Sequence, residues 1–123
     1  MGVEFELTKE VPPGKPKVAV LHLSGWLDAQ SEAQLVSAVQ QSKEQGAEFV
    51  LLELSGVGTI TSAGIRGIQK SFGIMKSKGE AGVGRLKLCN ASPQIYEVLS
   101  ITGILISVPV YESQDIAIHS FGQ

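Results

Sequence analysis

The sequence has few residues of the kinds that cross-link a chain or bind metal ions. Its 123 residues include one cysteine, Cys89, and two histidines, His22 and His119. A single cysteine excludes an internal disulfide and a zinc site built from several cysteines. Cys89 lies in the apolar segment LKLC, so we expect a small buried side chain rather than a reactive thiol. No metal-ligand spacing occurs elsewhere, and we predict neither a metal nor a cofactor.

The sequence also lacks a strong charge of either sign and any long hydrophobic run. Ten basic and twelve acidic residues give a net charge of −2, which is too little positive charge for a nucleic-acid surface. No apolar run approaches the roughly 20 residues that cross a bilayer. The start, MGVEFELTKE, has no signal-peptide pattern. We therefore expect a cytoplasmic protein that binds neither nucleic acid nor a membrane.

What the sequence does contain is a regular alternation of strand and helix patterns. The segments VEFELTK and KVAVLHLSG, joined by PPGKP, predict an antiparallel pair of strands. Helix patterns then alternate with FVLLEL, RLKLCN and LISVPVY. The order β-β-α-β-α-β-α-β-α predicts a single α/β domain over residues 1–123. Its sheet is expected to be mixed and mostly parallel, with about five strands and about four helices.

Capping residues mark the predicted helix starts. Ser31 with Gln34 forms a capping box, and Ser92 and Ser113 occupy N-cap positions. A further helix runs from about residue 63 to about residue 78, followed by a GEAGVG loop. One face of this helix carries the small residues Gly64, Gly67 and Ser71, which allow close approach of a neighbouring helix. In the last helix, Ile116, Ala117 and Phe121 are expected to face inward.

No group of residues has the arrangement of a common catalytic or nucleotide-binding site. Ser62 lacks the glycine two positions earlier that a hydrolase nucleophile turn requires. Gly56 and Gly58 follow a strand, but Thr61 stands where a dinucleotide fingerprint has its third glycine. Glu53 is alone in its strand. We therefore expect a protein that is not an enzyme.

The segment GTITSAGI presents three hydroxyl groups just before a helix. In one interpretation Ser62 is the N-cap, and its hydroxyl accepts a hydrogen bond from the amide of Gly64 or Ile65. In the other, Ser62 is phosphorylated, because a helix N-terminus tolerates negative charge. Arg66, four residues later, could then reach the phosphate. The residues alone leave both interpretations open.

Four segments in register resemble the STAS domain family, and within it the small bacterial anti-sigma-factor antagonists. LLELSGVGTITSAGIRGI resembles the family's strand, loop and helix that opens with Asp-Ser-(Ser/Ala)-Gly-(Leu/Ile). SGWLD resembles its Gly-x-Leu-Asp corner. GRLKLCNASPQIYEVLSITGI resembles its next strand and helix, and VYESQDIAIHSF its terminal helix. The resemblance covers the chain from about Val18 onward.

This resemblance implies a partner-switching protein. In such families the unmodified antagonist binds an anti-sigma factor that is also a serine kinase, the kinase phosphorylates the antagonist, and a phosphatase reverses the modification. The matching phosphoacceptor is Ser62, and the segment 63–66 would be the exposed start of the partner-binding helix. The implied partner-binding residues are Gly25, Asp28, Thr59, Thr61, Ala63, Gly64, Ile65, Arg66, Asn90 and Ser92.

The sequence departs from the family pattern at three places. Thr61 replaces the aspartate that precedes the serine in the best-known antagonists, and it is an alternative phosphoacceptor. Arg66 stands at a position that holds glycine in some members and arginine in others, and the GEAGVG loop is longer than the common turn. The alternative function is a STAS scaffold or a module that senses a small ligand or anion, with Ser62 only a cap. A hydrolase is the least favoured interpretation.

Overall fold

A computed structural model describes residues 4–76 and 84–121 of the protein. The strands are β1 (Glu6–Glu10), β2 (Val18–Leu27), β3 (Phe49–Ile60), β4 (Leu86–Cys89) and β5 (Val110–Tyr111). The helices are α1 (Glu32–Glu44), α2 (Ser62–Met75), α3 (Pro93–Thr102) and α4 (Gln114–His119), with a 3-10 helix at Ile104–Ile106. The predicted α/β class and element order are confirmed. No helix within the described ranges is both long and apolar enough to span a bilayer.

The five strands lie side by side in chain order, β1-β2-β3-β4-β5. β1 pairs antiparallel with β2, as the Pro/Gly turn predicted, and the other pairs are parallel. Each parallel connection moves one strand along in the same direction, so right-handed crossovers place α1, α2 and α3 on one face of the sheet. The apolar stripes of these helices pack there on the strands. This first core includes Leu21, Leu52, Leu88, Leu35, Ile68 and Leu99.

The opposite face of the sheet carries a second, smaller core beneath α4. Val18, Val20, Leu51 and Cys89 project from the strands, and α4 and the residues after it contribute Ala117, Ile118 and Phe121. The prediction that Cys89 is buried is confirmed. Burial, together with the negative charge of Glu53, raises the pKa of the Cys89 thiol to about 12.

Three local predictions differ from the structure. The predicted extended run from residue 105 to 111 begins within the 3-10 helix and continues to the two-residue strand β5, because Gly103 (φ +77°) closes α3 and starts a tight turn. In α4 it is Ile118, not Ile116, that is buried. α2 ends at Met75, where Lys76 turns to extended backbone. The predicted GEAGVG loop lies outside the described residues, apart from Gly84.

β2 and β3 extend well beyond the short strand β4. β4 pairs with β3 only from Val50 to Glu53, whereas β2 stays paired with β3 as far as Leu27 and Ile60. The register between β2 and β3 shifts twice along this extension, and each time β3 contains one residue more than β2. The β2–α1 corner and the start of α2 therefore leave the sheet side by side.

Candidate functional site

The start of α2 is packed against the end of β2. The amide of Thr61 donates to the carbonyl oxygen of Leu27 at 3.0 Å. One turn later, Gly64 passes so close to the same carbonyl that a Cβ at this position would overlap its oxygen. Glycine is thus required by close backbone approach, which fixes α2 against the corner that leads into α1.

Thr61, and not Ser62, caps α2. Thr61 has extended backbone (φ −102°, ψ 177°), and its hydroxyl accepts from the amide of Gly64 at 3.5 Å, a long and weak hydrogen bond. The interpretation of Ser62 as the N-cap is therefore wrong. Ser62 is the first helical residue, and it is exposed. Its hydroxyl makes no hydrogen bond within the part of the chain that the structure describes.

Most of the predicted exposed surface at the start of α2 is in fact buried. Ala63 and Ile65 are only 8% and 6% exposed, and Gly64 is buried between them. The expectation that all three face solvent is wrong, because the helix start turns inward onto Leu27. Arg66 is exposed, as expected.

Arg66 takes part in an ion cluster that joins α2 to α1. Its Nε and Nη2 donate to the two carboxylate oxygens of Glu32, each at 2.9 Å. Nζ of Lys70 lies 2.9 Å from one of the same oxygens. The hydrogen bonds from Arg66 and Lys70 lower the pKa of Glu32 to about 2. Sequence reasoning missed Glu32 and Lys70, although the spacing of Arg66 and Lys70, four apart on a helix, places them on one face.

Asp28 shapes the corner between β2 and α1. Its Oδ1 accepts from the amides of Gln30 at 3.0 Å and Ser31 at 3.3 Å. The hydroxyl of Ser31 accepts from the amide of Asp28 at 2.9 Å and donates to the carbonyl oxygen of Trp26 at 2.8 Å. Ser31 makes no side-chain cap to α1, so the predicted capping box is wrong. Asp28 instead satisfies the amides that lead into α1, because its carboxylate accepts hydrogen bonds from them.

Gly25 and Thr59 lie on the extended β2–β3 pair. Gly25 has a positive φ of +92°, and a Cβ there would overlap the carbonyl oxygen of Glu4, which explains the glycine. Thr59 is half-buried and pairs with Trp26, whose side chain is 43% exposed. Gly25 lies two residues, and Thr59 one residue, before the end of the paired segment of its strand, near the start of α2.

Asn90 and Ser92 are in contact with a different part of the molecule. The amide group of Asn90 donates to Oε2 of Glu53 at 2.7 Å. Ser92 caps α3 as predicted, accepting from the amide of Ile95 at 3.3 Å. Glu53 lies seven residues before the end of β3. The side-chain hydrogen bonds described for Asn90 and Ser92 therefore lie at Glu53 and at the start of α3.

Glu53 is not isolated, contrary to the sequence-based interpretation. It accepts from Asn90 and Ser55, and its Oε1 lies 3.4 Å from Nδ1 of His22. The other ring nitrogen of His22 lies 2.8 Å from Glu10. Burial raises the pKa of Glu53, but the hydrogen bonds outweigh it and the net pKa is lowered. No set of side chains in the described ranges has the arrangement of a metal site.

Comparison with known proteins identifies the family. A model of the STAS domain matches residues 11–117. A Bordetella bronchiseptica protein that carries the name anti-sigma factor antagonist BtrV is 30% identical over 100 residues, covering 80% of this chain and 82% of that protein.

Solved structures agree in fold. An anti-sigma factor antagonist from Mycobacterium paratuberculosis superposes with a TM-score of 0.82 at 19% identity, covering 100% of this chain and 98% of its own. The phosphorylated form of the Bacillus cell fate determinant SpoIIAA superposes with a TM-score of 0.63 at 19% identity, covering 94% and 97%. With a family match along most of its length and the five-stranded fold described above, the chain belongs to the STAS domain family.

Proposed function

We propose that the protein is an anti-sigma factor antagonist that acts by partner switching in the cytoplasm. In its unmodified form it binds an anti-sigma factor with serine kinase activity, which frees the sigma factor. The kinase transfers the γ-phosphoryl group of ATP to Oγ of Ser62, releasing ADP and the hydroxyl proton. The phosphorylated form dissociates, and a phosphatase restores it by hydrolysis. The role is one of binding and regulation and requires no catalytic residue in this chain.

The observation that carries the proposal is the state of the Ser62 hydroxyl. It is exposed at the first position of α2, while the neighbouring Thr61 hydroxyl is engaged in capping. A phosphate on Ser62 would lie at the positive end of a 14-residue helix, where negative charge is tolerated. A phosphate on Thr61 would displace the cap. These features favour Ser62 over Thr61 as the acceptor.

The proposed partner surface surrounds this serine. Thr59, Thr61 and Arg66 supply partly or fully exposed side chains, and Asp28 lies at the adjoining corner. The buried segment 63–65 would act by fixing the helix position rather than by contact. Gly25, Asn90 and Ser92 remain predicted contacts that a large partner could reach.

The direct test is a phosphorylation assay. The protein is incubated with ATP and the serine-kinase anti-sigma factor from the same organism, and the phosphate is located by mass spectrometry. We expect it on Ser62. Ser62→Ala should bind the kinase without being modified, and Thr61→Ser, which keeps a capping hydroxyl, should be modified like the wild type.

A second arm measures binding. Ser62→Asp should fold normally, as checked by circular dichroism, and should lose roughly tenfold or more in affinity for the kinase, because it adds a charge to the centre of the surface. If Ser62→Ala is modified as efficiently as the wild type, the proposal is wrong. If the wild type neither binds nor is modified, the scaffold or ligand-sensing alternative is favoured.

A further inference from the structure

Arg66 is the cationic side chain nearest to Ser62 along α2, and it is already paired with Glu32. Arg66 follows Ser62 by four residues in α2, so both side chains lie on one face of the helix, and helical side chains lean toward the N-terminus. The Arg66 side chain is 54% exposed, yet its guanidinium makes two parallel hydrogen bonds to Glu32. A phosphate that accepts from the same two nitrogens, Nε and Nη2, must therefore compete with this carboxylate for Arg66.

Glu32 would not be left unpaired by that competition. Its side chain is 11% exposed, so loss of every cation would leave a poorly hydrated negative charge. Lys70 lies one turn beyond Arg66 and 2.9 Å from the same carboxylate. Lys70 is eight residues from Ser62, too far along the helix for direct contact with a phosphate there. The two cations therefore have different possible partners.

We propose that a phosphate on Ser62 takes Arg66 away from Glu32, while Lys70 keeps Glu32 paired. This inference rests on the proposed function, since it concerns the phosphorylated form. A phosphate carries roughly −1.5 to −2 charge at neutral pH and three acceptor oxygens, so it attracts a guanidinium more strongly than one carboxylate does. Glu32 is thus the resting partner of Arg66 and sets how strongly the phosphate is held.

The exchange would also change a surface beyond the modified serine. Glu32 and Lys70 line an open groove of about 620 Å³ between α1 and α2, together with Ala33, Val36 and Ile74. When Arg66 leaves, the Glu32 end of this groove loses one positive charge. A single phosphate would then alter both the start of α2 and the adjoining groove, which widens the surface on which a partner detects the modification.

The test measures the second pKa of the phosphate itself by phosphorus NMR. Phosphoserine is incorporated at position 62 during translation, in the full chain, so no kinase is needed. The reference value for a phosphoserine is about 6. Arg66→Gln should raise this pKa by about half a pH unit, since it removes a cation that favours the dianion. Glu32→Gln should lower it by a similar amount, because Arg66 is then free to bind the phosphate.

Two controls separate the proposal from simple changes in charge. Lys17→Gln removes one positive charge at the far end of β2, where Lys17 pairs with Glu48, and should leave the phosphate pKa unchanged. In the Arg66→Gln background, Glu32→Gln should lose most of its effect, because Glu32 acts through Arg66. Equal effects of Glu32→Gln in both backgrounds, zero included, would overturn the proposal, as would an Arg66→Gln pKa equal to that of Lys17→Gln.

This experiment fails or succeeds independently of the proposed function. If the kinase assay finds no modification of Ser62, the proposed function is wrong, but the titration of incorporated phosphoserine still reports which groups its phosphate contacts. Conversely, modification of Ser62 with the same phosphate pKa in the wild type and in every variant would leave the proposed function intact and overturn the exchange of Arg66 between Glu32 and the phosphate.

Discussion

Two glycines of α2 occupy opposite environments. At Gly64 a Cβ would overlap the carbonyl oxygen of Leu27, whereas at Gly73 no atom lies within 4 Å of the place a Cβ would take. Both residues lie in the same helix, where glycine is less favourable than alanine. The difference between them isolates the packing of α2 against the β2–α1 corner.

We predict opposite effects of the same substitution at these positions. Gly64→Ala should lower the free energy of unfolding by about 2 to 3 kcal/mol, because backbone must move to admit the methyl group. Gly73→Ala should raise it by about 0.5 to 1 kcal/mol through helix propensity. Urea unfolding followed by circular dichroism measures both. Equal effects of the two changes would show that α2 can shift away from Leu27 without cost.

At this scale the sequence predicted the kind of residue but not its task. Thr61 and Ser62 are adjacent and both are good caps. Which of them caps depends on where β3 ends, and that is fixed by the hydrogen bond between Thr61 and Leu27, 34 residues apart in sequence. A long-range contact therefore decides which hydroxyl is free.

At the scale of elements, α1 and α2 are joined by small residues and by charge. The predicted small-residue face of α2 is confirmed: a Cβ on Gly67 would lie 3.5 Å from Leu35 and 3.4 Å from Glu32 of α1. Ser71 is fully buried and donates to the carbonyl oxygen of Gly67 at 2.8 Å. The close approach brings Glu32 within reach of the cations on α2.

The Glu32 cluster makes the stability of this helix pair depend on pH. Hydrogen bonds from Arg66 and Lys70 hold the folded-state pKa of Glu32 at about 2, below its ordinary 4.5. The stabilisation is therefore complete above the unfolded-state pKa and is lost as pH falls through the folded-state pKa. We predict that wild type exceeds Glu32→Gln in stability at pH 6, and that this difference shrinks steadily between pH 4.5 and 2.

The measurement is urea unfolding of both proteins across that pH range. Glu97→Gln, a matched change on the exposed side of α3, controls for loss of a carboxylate outside the cluster. A difference between wild type and Glu32→Gln that stays constant from pH 6 to pH 2 would contradict the role of the cluster.

Helix caps show which element boundaries a sequence can predict. Ser92 and Ser113 each accept from the amide three residues later, a contact contained within one turn, and both were predicted. Ser31 was predicted by the same rule but is turned toward Trp26 and Asp28. The Ser31 hydroxyl is used for hydrogen bonds to the backbone of the corner after β2, so it does not cap α1 as the local sequence pattern predicted.

At the scale of the whole molecule, the two faces of the sheet are covered unequally. Three helices cover one face, and α4 is the described helix that packs on the other. Lys87 ties the end of α4 to the sheet: its Nζ donates to the hydroxyl of Ser120 at 2.8 Å and lies 4.8 Å from the ring centre of Phe121. Cys89 is buried in this second core and can report on its opening.

We predict that the second core opens separately from the first. Phe121→Ala should raise the rate of Cys89 alkylation at least tenfold, since it weakens the docking of α4 by more than about 1.4 kcal/mol. Leu99→Ala, a comparable truncation in the first core, should change that rate much less. The measurement is mass spectrometry of alkylated protein over time in native buffer. Equal acceleration by both variants would mean that Cys89 is exposed only by global unfolding.

The overall architecture was the most predictable level. Strand and helix patterns alternate clearly, and short connections leave few topologies to choose among. Contacts across the sheet were not predictable, as Glu53 shows: it looks isolated in sequence, yet it meets Asn90 from 37 residues away. The candidate site shows both levels: the segments that form it were predicted, but the contact of Arg66 with Glu32 of α1 was not.

Because α4 lies near the end of the sequence, the strands that it covers are synthesised well before it. Val20 leaves the ribosome 101 residues before Phe121, the residue that covers its side of the sheet. At translation rates of about 5 to 20 residues per second, this apolar face stays uncovered for on the order of 5 to 20 seconds before α4 and Phe121 are synthesised. During that interval a nascent chain with β2, β3 and their helices already formed presents an open hydrophobic stripe to chaperones and to neighbouring nascent chains.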